Sequence, residues 1–177
     1  SQLSNEQLDV LKHKYVAKGA VNATPQFADT ALNAEIWDAD GNRWIDFAGG
    51  IGVLNLGHRH PKVVAAVKAQ LDKVMHTAAG VISYAPYVQL SQKLAELTPV
   101  RGPERKTLLV NSGAEAVENA IKTAFDWKAR KLGRTSLESN VNDLVILHFR
   151  QAFHGRSGYT LSVTNTLPDK IGLFPKF

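Results

Sequence analysis

The sequence predicts an α/β fold, and three observations favour it. A compact apolar segment at residues 106–110 runs through a tight turn into a segment at 116–127 whose apolar residues have helical period, in the order strand, turn, helix. Two more strands are predicted at 143–148 and 159–163. Strands separated by a helix indicate a parallel sheet. The 177 residues, 44% of them hydrophobic, can bury a sizeable core.

The first element is predicted to be a short amphipathic helix at residues 4–18. Ser4 can cap its first turn, and three apolar side chains recur at spacings of three and four, namely Leu8, Leu11 and Tyr15. This spacing places them on one face of the helix.

A β-hairpin is predicted next. Two short segments, Glu35-Ile36-Trp37-Asp38 and Arg43-Trp44-Ile45-Asp46, flank residues 39–42, in which Asp40-Gly41 supplies turn chemistry. Glycine-rich stretches at 48–52 and 57–61 then interrupt regular structure.

Two further amphipathic helices are expected at residues 61–75 and 84–97. Pro61 fits the first turn of the first of them. Their apolar residues repeat with helical period: Val63, Val64, Val67 and Leu71 in one, and Tyr87, Leu90, Leu94 and Leu97 in the other. A polar linker is expected at 133–142.

Composition argues against several classes of function. The net charge of +5 comes from scattered residues, without the charge runs of nucleic-acid-binding tails, so no nucleic-acid partner is expected. The absence of cysteine excludes disulfides, thiolate zinc sites and cysteine nucleophiles, and agrees with a cytoplasmic location. No apolar window approaches the roughly 18 residues of a membrane span, and no secretory pattern opens the chain, so no membrane association is expected.

The turn at residues 111–115 is the most informative local feature. Ser112 and Glu115 match a capping box, and Gly113 and Ala114 leave their backbone N–H groups unobstructed at the positive end of a helix. A phosphate can accept hydrogen bonds from such groups. Structural capping alone is the competing interpretation. The turn is not a Walker loop, because no Gly-Lys-Ser/Thr follows.

A second cluster of candidate residues lies at 151–159, just beyond the carboxyl end of a predicted strand, where open α/β sheets place ligands. Phe153 can stack on a planar heteroaromatic ring, and Arg156 can bind a carboxylate in bidentate fashion. His154 adds an imidazole between them. The alternatives are that Phe153 is a core residue and Arg156 forms a surface salt bridge.

His58 and His60 suggest a metal at first sight. No carboxylate or third histidine stands at a convincing spacing nearby, so no metal site is predicted. We expect His58 to order its loop by hydrogen bonds.

Taken together, the motifs resemble the class III (ω-amino acid) aminotransferases, which depend on pyridoxal phosphate. Six of them stand in the family's order: residues 37–41, 46–51, 54–58, 60–64, 111–120 and 153–156. The first 125 residues most resemble 4-aminobutyrate aminotransferases, whereas residues 124–128 and 153–177 are similar to lysine 6-aminotransferases. The resemblance covers nearly the whole chain.

The resemblance implies roles for individual residues. Gly113 and Ala114, with Ser112 beside them, would bind the phosphate of pyridoxal 5'-phosphate. Phe153 would stack on its pyridine ring, at a position where the family often has Tyr, and His154 would lie near that ring. Two residues would contact the substrate: Ile51 as a lining residue of the pocket, and Arg156 as the partner of the carboxylate distal to the reacting amine.

It also implies an activity, the transfer of an amino group from an ω-amino acid such as 4-aminobutyrate or lysine to 2-oxoglutarate. The fold would be the N-terminal part of fold-type I, with residues 1–58 in the small domain and 59–177 in the first half of the large, mainly parallel domain. The family's Schiff-base lysine matches no residue here, so we expect a portion of a longer homodimeric enzyme, or a chain completed by a partner. The alternative is a non-catalytic fragment that binds the cofactor or phosphate.

Overall fold

The computed structural model describes residues 3–177, which form two compact units. One comprises the described residues up to Ile82, and the other is Ser83–Phe177. The predicted domain boundary after residue 58 stays a prediction. Among the described helices, none combines the length and the apolar character that crossing a membrane requires.

Among its described residues, the first unit contains three helices and three strands. In chain order these elements are α1 (Asn5–Tyr15), β1 (Ala28–Leu32), β2 (Glu35–Asp38), β3 (Arg43–Ile45), α2 (Gly49–Gly52) and α3 (Pro61–Leu71). The three strands form one antiparallel sheet in the order β1-β2-β3.

Helix α1 confirms the first prediction. Ser4 Oγ accepts a hydrogen bond from the Gln7 N–H, and the Gln7 side chain accepts one from the Ser4 N–H, which completes a capping box. The helix ends three residues earlier than predicted, because Val16 adopts extended backbone.

The predicted hairpin is confirmed as β2 and β3, and β1 is an additional strand that the sequence did not indicate. Asp38, only 3% exposed, holds the turn. Its carboxylate accepts hydrogen bonds from the Trp44 indole N–H (2.8 Å) and from the Asn42 backbone N–H (2.9 Å). Burial acts to raise the pKa of Asp38, but these hydrogen bonds outweigh it and lower the pKa to about 2.

The glycine-rich loop contains the short helical turn α2, although no helix was expected there. As predicted, His58 orders this region by hydrogen bonds: its Nε2 lies 2.7 Å from Asp46 Oδ2, and its backbone pairs with that of Asn33. A Cβ on Gly57 would lie 2.8 Å from the Asn33 carbonyl oxygen, so this close approach requires glycine.

The amphipathic helices are confirmed with shorter bounds. Helix α3 begins at Pro61, as expected, but ends at Leu71.

The second unit contains the other helices, which are α4 (Ala85–Leu97), α5 (Gly113–Lys131), α6 (Gly158–Val163) and α7 (Pro168–Ile171). The linker at 133–142 has neither helix nor strand.

The three strands predicted for the second unit are wrong as assigned. Residues 106–110 and 143–148 carry no helix or strand, and within the described part of the chain they have no strand partner. Apolar side chains there are solvent-exposed, including Leu108 and Leu147. A strand needs a neighbour to satisfy its backbone groups, so an apolar run without one does not become a strand.

Residues 159–163 are helical, as α6, instead of extended. Hydroxyl side chains explain this outcome, because they bind backbone groups of their own turn. Thr160 Oγ1 accepts a hydrogen bond from the Ser157 N–H (3.0 Å), and Ser162 Oγ donates one to the Gly158 carbonyl (3.1 Å). Local hydrogen bonding therefore overrides the β-branched composition of this segment.

Helix α6 packs against α5, and this contact forms the core of the second unit. The buried apolar residues here are Ile121, Ala129 and Val163. The Phe125 and Tyr159 rings add a tilted contact with centroids 5.9 Å apart. This packing brings the chain just before α6 to the N-terminal half of α5.

Candidate functional site

The N-terminus of α5 is capped by side chains. Ser112 Oγ accepts a hydrogen bond from the Glu115 N–H (3.1 Å), as the capping-box prediction requires. The reciprocal bond differs from that prediction, because Glu115 Oε2 accepts from the Asn111 N–H (2.8 Å) and not from the Ser112 N–H. The same oxygen also accepts a weaker bond from Ser112 Oγ at 3.3 Å.

The caps leave Gly113 and Ala114 free. In the part of the chain that the structure describes, neither backbone N–H donates a hydrogen bond. Gly113 is exposed, and a Cβ on it would meet nothing within 4 Å. The first turn of α5 therefore offers two N–H donors, the positive end of a helix dipole, and room for an anion.

Gly155 brings the second candidate cluster to this turn. Its φ is +127°, in the region that favours glycine. A Cβ on Gly155 would lie 2.8 Å from Thr160 Oγ1 and 2.9 Å from the Ala114 Cβ. The structure thus joins the two candidate clusters, with Gly155 packed against Ala114 in the first turn of α5.

Thr164 fixes the segment 153–156 through hydrogen bonds of its hydroxyl group. Its hydroxyl is buried and accepts a hydrogen bond from the His154 N–H (2.9 Å). The same oxygen lies 2.8 Å from each of the carbonyl oxygens of Gly155 and Thr160, which share its single O–H proton. The backbone on both sides of His154 and Gly155 is therefore fixed by one side chain.

Glu118, which lies one turn into α5, binds the same segment where it continues into α6. Its Oε1 accepts hydrogen bonds from the Ser157 hydroxyl (2.8 Å) and from the Thr160 N–H (3.1 Å). Burial acts to raise the pKa of Glu118, but the bonds from Thr160 and Ser157, with the charge of Lys122, outweigh it and lower the pKa. The carboxylate thus stays ionised at neutral pH.

Phe153 and Arg156 remain accessible. The Phe153 side chain is 58% exposed, which corrects the alternative that it is a core residue. The Arg156 guanidinium carbon lies 5.7 Å from the centre of the Phe153 ring, a cation–π contact. Among the described residues no carboxylate lies within 4.0 Å of Arg156, so it does not form the surface salt bridge considered above.

The other candidate residues occupy different settings. His154 is half-buried between Phe153 and Gly155. Ile51 belongs to the first unit, where it is 94% exposed. Its φ of +63° is rare for a β-branched residue, and such backbone strain clusters at functional sites.

Metal ligation has no geometric support in the described part of the chain, where no group of three or more histidine and carboxylate side chains comes together. His58 instead pairs with Asp46, and His60 stands at the start of α3.

The residues that assemble the site were not predicted from the sequence. Glu118 binds partners 39 and 42 residues away, and Thr164 binds a backbone N–H 10 residues before it, and no local pattern signals such bonds. Ser157 and Thr160 gave a partial signal for α6, because their spacing matches a helix cap, although residues 159–163 were predicted to be a strand.

Comparison with known proteins shows the family to which the chain belongs. The model of the family described as "Aminotransferase class-III" matches residues 15–176. Over 175 residues the chain is 42% identical to the 4-aminobutyrate aminotransferase of Escherichia coli, covering 97% of this chain and 38% of that protein. It is 43% identical to the 5-aminovalerate aminotransferase of Pseudomonas aeruginosa, covering 91% of this chain and 34% of that protein.

A solved structure shows the same fold. The ornithine aminotransferase of Toxoplasma gondii superimposes with a TM-score of 0.83 at 25% identity, over 100% of this chain and 39% of that one. That structure has partial occupancy of pyridoxal phosphate at its active site. The chain thus spans less than half the length of these relatives. Class III aminotransferases are pyridoxal-phosphate-dependent enzymes of fold-type I, and this chain belongs to that family.

Proposed function

We propose that this chain is part of an ω-amino acid aminotransferase that moves an amino group from a donor such as 4-aminobutyrate to 2-oxoglutarate. The observation that carries the proposal is the close approach of Gly155 to the Ala114 side chain in the first turn of α5, where in the described part of the chain the N–H groups of Gly113 and Ala114 donate no hydrogen bond. Gly155 lies in the same segment as the exposed Phe153 ring and the exposed Arg156 guanidinium, which supports a shared site at the start of α5. Lysine is the second donor that we propose, from the resemblance of the last third of the chain.

The first turn of α5 fits the phosphate of pyridoxal 5'-phosphate. Gly113 and Ala114 supply N–H donors, the Ser112 hydroxyl stands beside them, and the open space at Gly113 allows close approach. When bound, the cofactor supplies an electron sink that carries the amino group between donor and acceptor. The chain's own contribution at this point is to bind and orient the phosphate end.

Phe153 would orient the ring end of the cofactor. Its exposed face can stack on a pyridine ring without the hydroxyl that Tyr would add. His154 would flank the same ring, held by its backbone bond to Thr164. Both residues therefore limit how the cofactor can tilt about its anchored phosphate.

Arg156 would bind the distal carboxylate of the amino donor. A guanidinium without a carboxylate partner keeps its charge available for a bidentate pair, which is stronger than an ordinary neutral hydrogen bond. For Ile51, in the first unit, we propose from the resemblance a role in lining the enzyme's substrate pocket. Together these roles predict preference for donors with a carboxylate at the end opposite the amine.

The assembly that we propose is a homodimer in which residues 1–58 belong to the small domain and 59–177 to the large one. The segments that complete the large domain, including the Schiff-base lysine, would come from sequence outside these 177 residues or from a partner chain. A cytoplasmic location stays a prediction. If these segments are not present, cofactor binding without amino transfer is the function that remains.

The experiment that tests the proposal is steady-state kinetics on the full-length protein carrying Arg156→Ala. We expect the KM for 4-aminobutyrate to rise at least about tenfold, since a hydrogen bond to a charged group is worth roughly 1.5–3 kcal/mol. Arg150→Ala is the matched control, because Arg150 is an exposed arginine nearby without an ion pair in the described part of the chain. Equal KM values for the two variants would contradict the role of Arg156, and absence of transamination in the wild type would contradict the activity.

A further inference from the structure

We propose that Glu118 is a positioning residue that fixes Arg156 relative to the first turn of α5. The proposal rests on the function proposed above. Glu118 lies on α5, whose first turn would bind the phosphate. Its carboxylate accepts hydrogen bonds from residues that follow Phe153 and Arg156 in the chain. Glu118 would thereby couple recognition of the cofactor's phosphate to recognition of the substrate's carboxylate.

The contacts define the link. Glu118 Oε1 accepts from the hydroxyl of Ser157, the residue directly after Arg156 (2.8 Å). The same oxygen accepts from the Thr160 N–H in the first turn of α6 (3.1 Å). A single carboxylate oxygen thus ties α5 to two points of the chain on the C-terminal side of Arg156.

The other described contacts that tie the segment 153–156 to the rest of the unit lie on the N-terminal side of Arg156. Thr164 holds the His154 N–H and the Gly155 carbonyl, on the N-terminal side of Arg156. Close packing against Ala114 fixes Gly155. Without Glu118, the Ser157 hydroxyl would keep only its contact with Thr160 Oγ1 at 2.9 Å, which lies inside the same turn and gives no tie to α5.

The charge of Glu118 suits this role. Its pKa lies below the ordinary value, with the Thr160 and Ser157 hydrogen bonds outweighing burial. It therefore accepts hydrogen bonds as an ionised carboxylate, which makes them shorter and stronger than neutral ones. Glutamine keeps an acceptor oxygen at the same reach and loses the charge, whereas alanine loses the link altogether.

The test is a double-mutant cycle in the full-length holoenzyme with Glu118→Ala, Arg156→Ala and the double variant. Kinetics would be measured with 4-aminobutyrate and with butylamine, which lacks the distal carboxylate. We expect Glu118→Ala to raise the KM for 4-aminobutyrate about tenfold and to leave that for butylamine within about twofold. In the Arg156→Ala background, the same change should have no further effect on 4-aminobutyrate.

Two controls separate positioning from folding. Glu118→Gln should recover most of the lost affinity for 4-aminobutyrate, because its amide oxygen still accepts from Ser157 and Thr160. Asp126→Asn removes an exposed carboxylate from the same helix, which among the described residues pairs only with Arg130, and this variant should change neither KM.

The outcomes distinguish this proposal from the one on which it rests. If Arg156→Ala leaves the KM for 4-aminobutyrate unchanged, the proposed carboxylate role of Arg156 fails. If Arg156→Ala raises that KM but Glu118→Ala raises both KM values equally, or acts additively with Arg156→Ala, then only the positioning role of Glu118 is overturned.

Discussion

Asp38 in the first unit and Glu118 in the second are both carboxylates that accept several hydrogen bonds, but their partners lie at different distances along the chain. The backbone and indole donors to Asp38 are two to six residues away. The donors to Glu118 are 39 and 42 residues away. Asp38 therefore shapes its own turn, whereas Glu118 joins two segments that are distant in the chain.

This difference explains what each carboxylate can do for function. A local carboxylate stabilises a turn whose conformation the neighbouring residues already favour. A carboxylate with distant partners fixes the spatial relation of two groups that are not neighbours in the chain, which is what a binding site needs. Substitutions around Asp38 should therefore affect stability, and those around Glu118 should affect stability and ligand binding together.

The largest effect is expected from glycine substitutions that compare the two regions. Gly155→Ala introduces a Cβ 2.8 Å from Thr160 Oγ1 at a positive φ, so steric overlap and backbone strain should together cost about 3 kcal/mol. Gly41→Ala in the hairpin turn has a φ of +83° but nothing within 4 Å, so strain alone should cost about 1 kcal/mol. Hydrogen exchange of the two segments in the full-length protein measures both values.

Equal destabilisation by the two glycine substitutions would contradict the close packing of Gly155 on the first turn of α5. Gly155→Ala should also weaken cofactor binding, because it displaces residues 153–156. Gly41→Ala should leave cofactor binding unchanged.

A pH titration should expose the contribution of Asp38. Its folded pKa of about 2 lies below the ordinary value of 3.8, so the stabilisation is complete above pH 3.8 and is lost as the pH falls towards 2. Hydrogen exchange of the Trp44 indole N–H, which donates to Asp38, should accelerate over this interval beyond its intrinsic pH dependence. In Asp38→Asn this extra acceleration should vanish, and its persistence there would assign the transition to another group.

The smallest effect is expected from two serines that begin helices. Ser4→Ala removes the bond from the Gln7 N–H and should cost α1 about 1 kcal/mol. Ser157→Ala removes the bond to Glu118 and should cost α6 a similar amount. Only Ser157→Ala should also raise the KM for 4-aminobutyrate, by about threefold, since about 0.7 kcal/mol of positioning is lost. A change of equal size with Ser4→Ala would remove the distinction between the two regions.

The same contrast separates what the sequence could predict from what it could not. The hairpin and the capped start of α5 follow from residues close in the chain, and the structure confirms them. The loop-ordering role of His58 is also confirmed, although its partner Asp46 stands 12 residues away. Strand β1 was missed because Ala28–Leu32 lacks a strong strand pattern, and pairing with β2 determines it. Its strand character comes from a partner that composition does not reveal.

The errors in the second unit have a related cause. Residues 159–163 have the composition of a strand, but hydroxyl hydrogen bonds and packing against α5 make them helical. The candidate residues Gly113 and Arg156 were each identified from local chemistry, whereas their proximity depends on Gly155 and Glu118, whose contacts span about 40 residues. Residue type suggested which residues would bind the cofactor and the substrate. Which of these residues come together depends on the fold.

The proposed binding of the cofactor's phosphate by backbone N–H groups in the first turn of α5 can be tested by removing one of these groups. Gly113→Pro does this, because proline is tolerated at the first helical position and Ser112 already has the extended backbone that a following proline requires. Gly113→Ala keeps the N–H and is the matched control.

The measurement is the Kd of pyridoxal 5'-phosphate for the full-length protein and these two variants. We expect Gly113→Pro to weaken binding at least about tenfold relative to Gly113→Ala, in keeping with a lost hydrogen bond to a charged group. Equal affinities of the proline and alanine variants, with helix content retained in both, would contradict the claim.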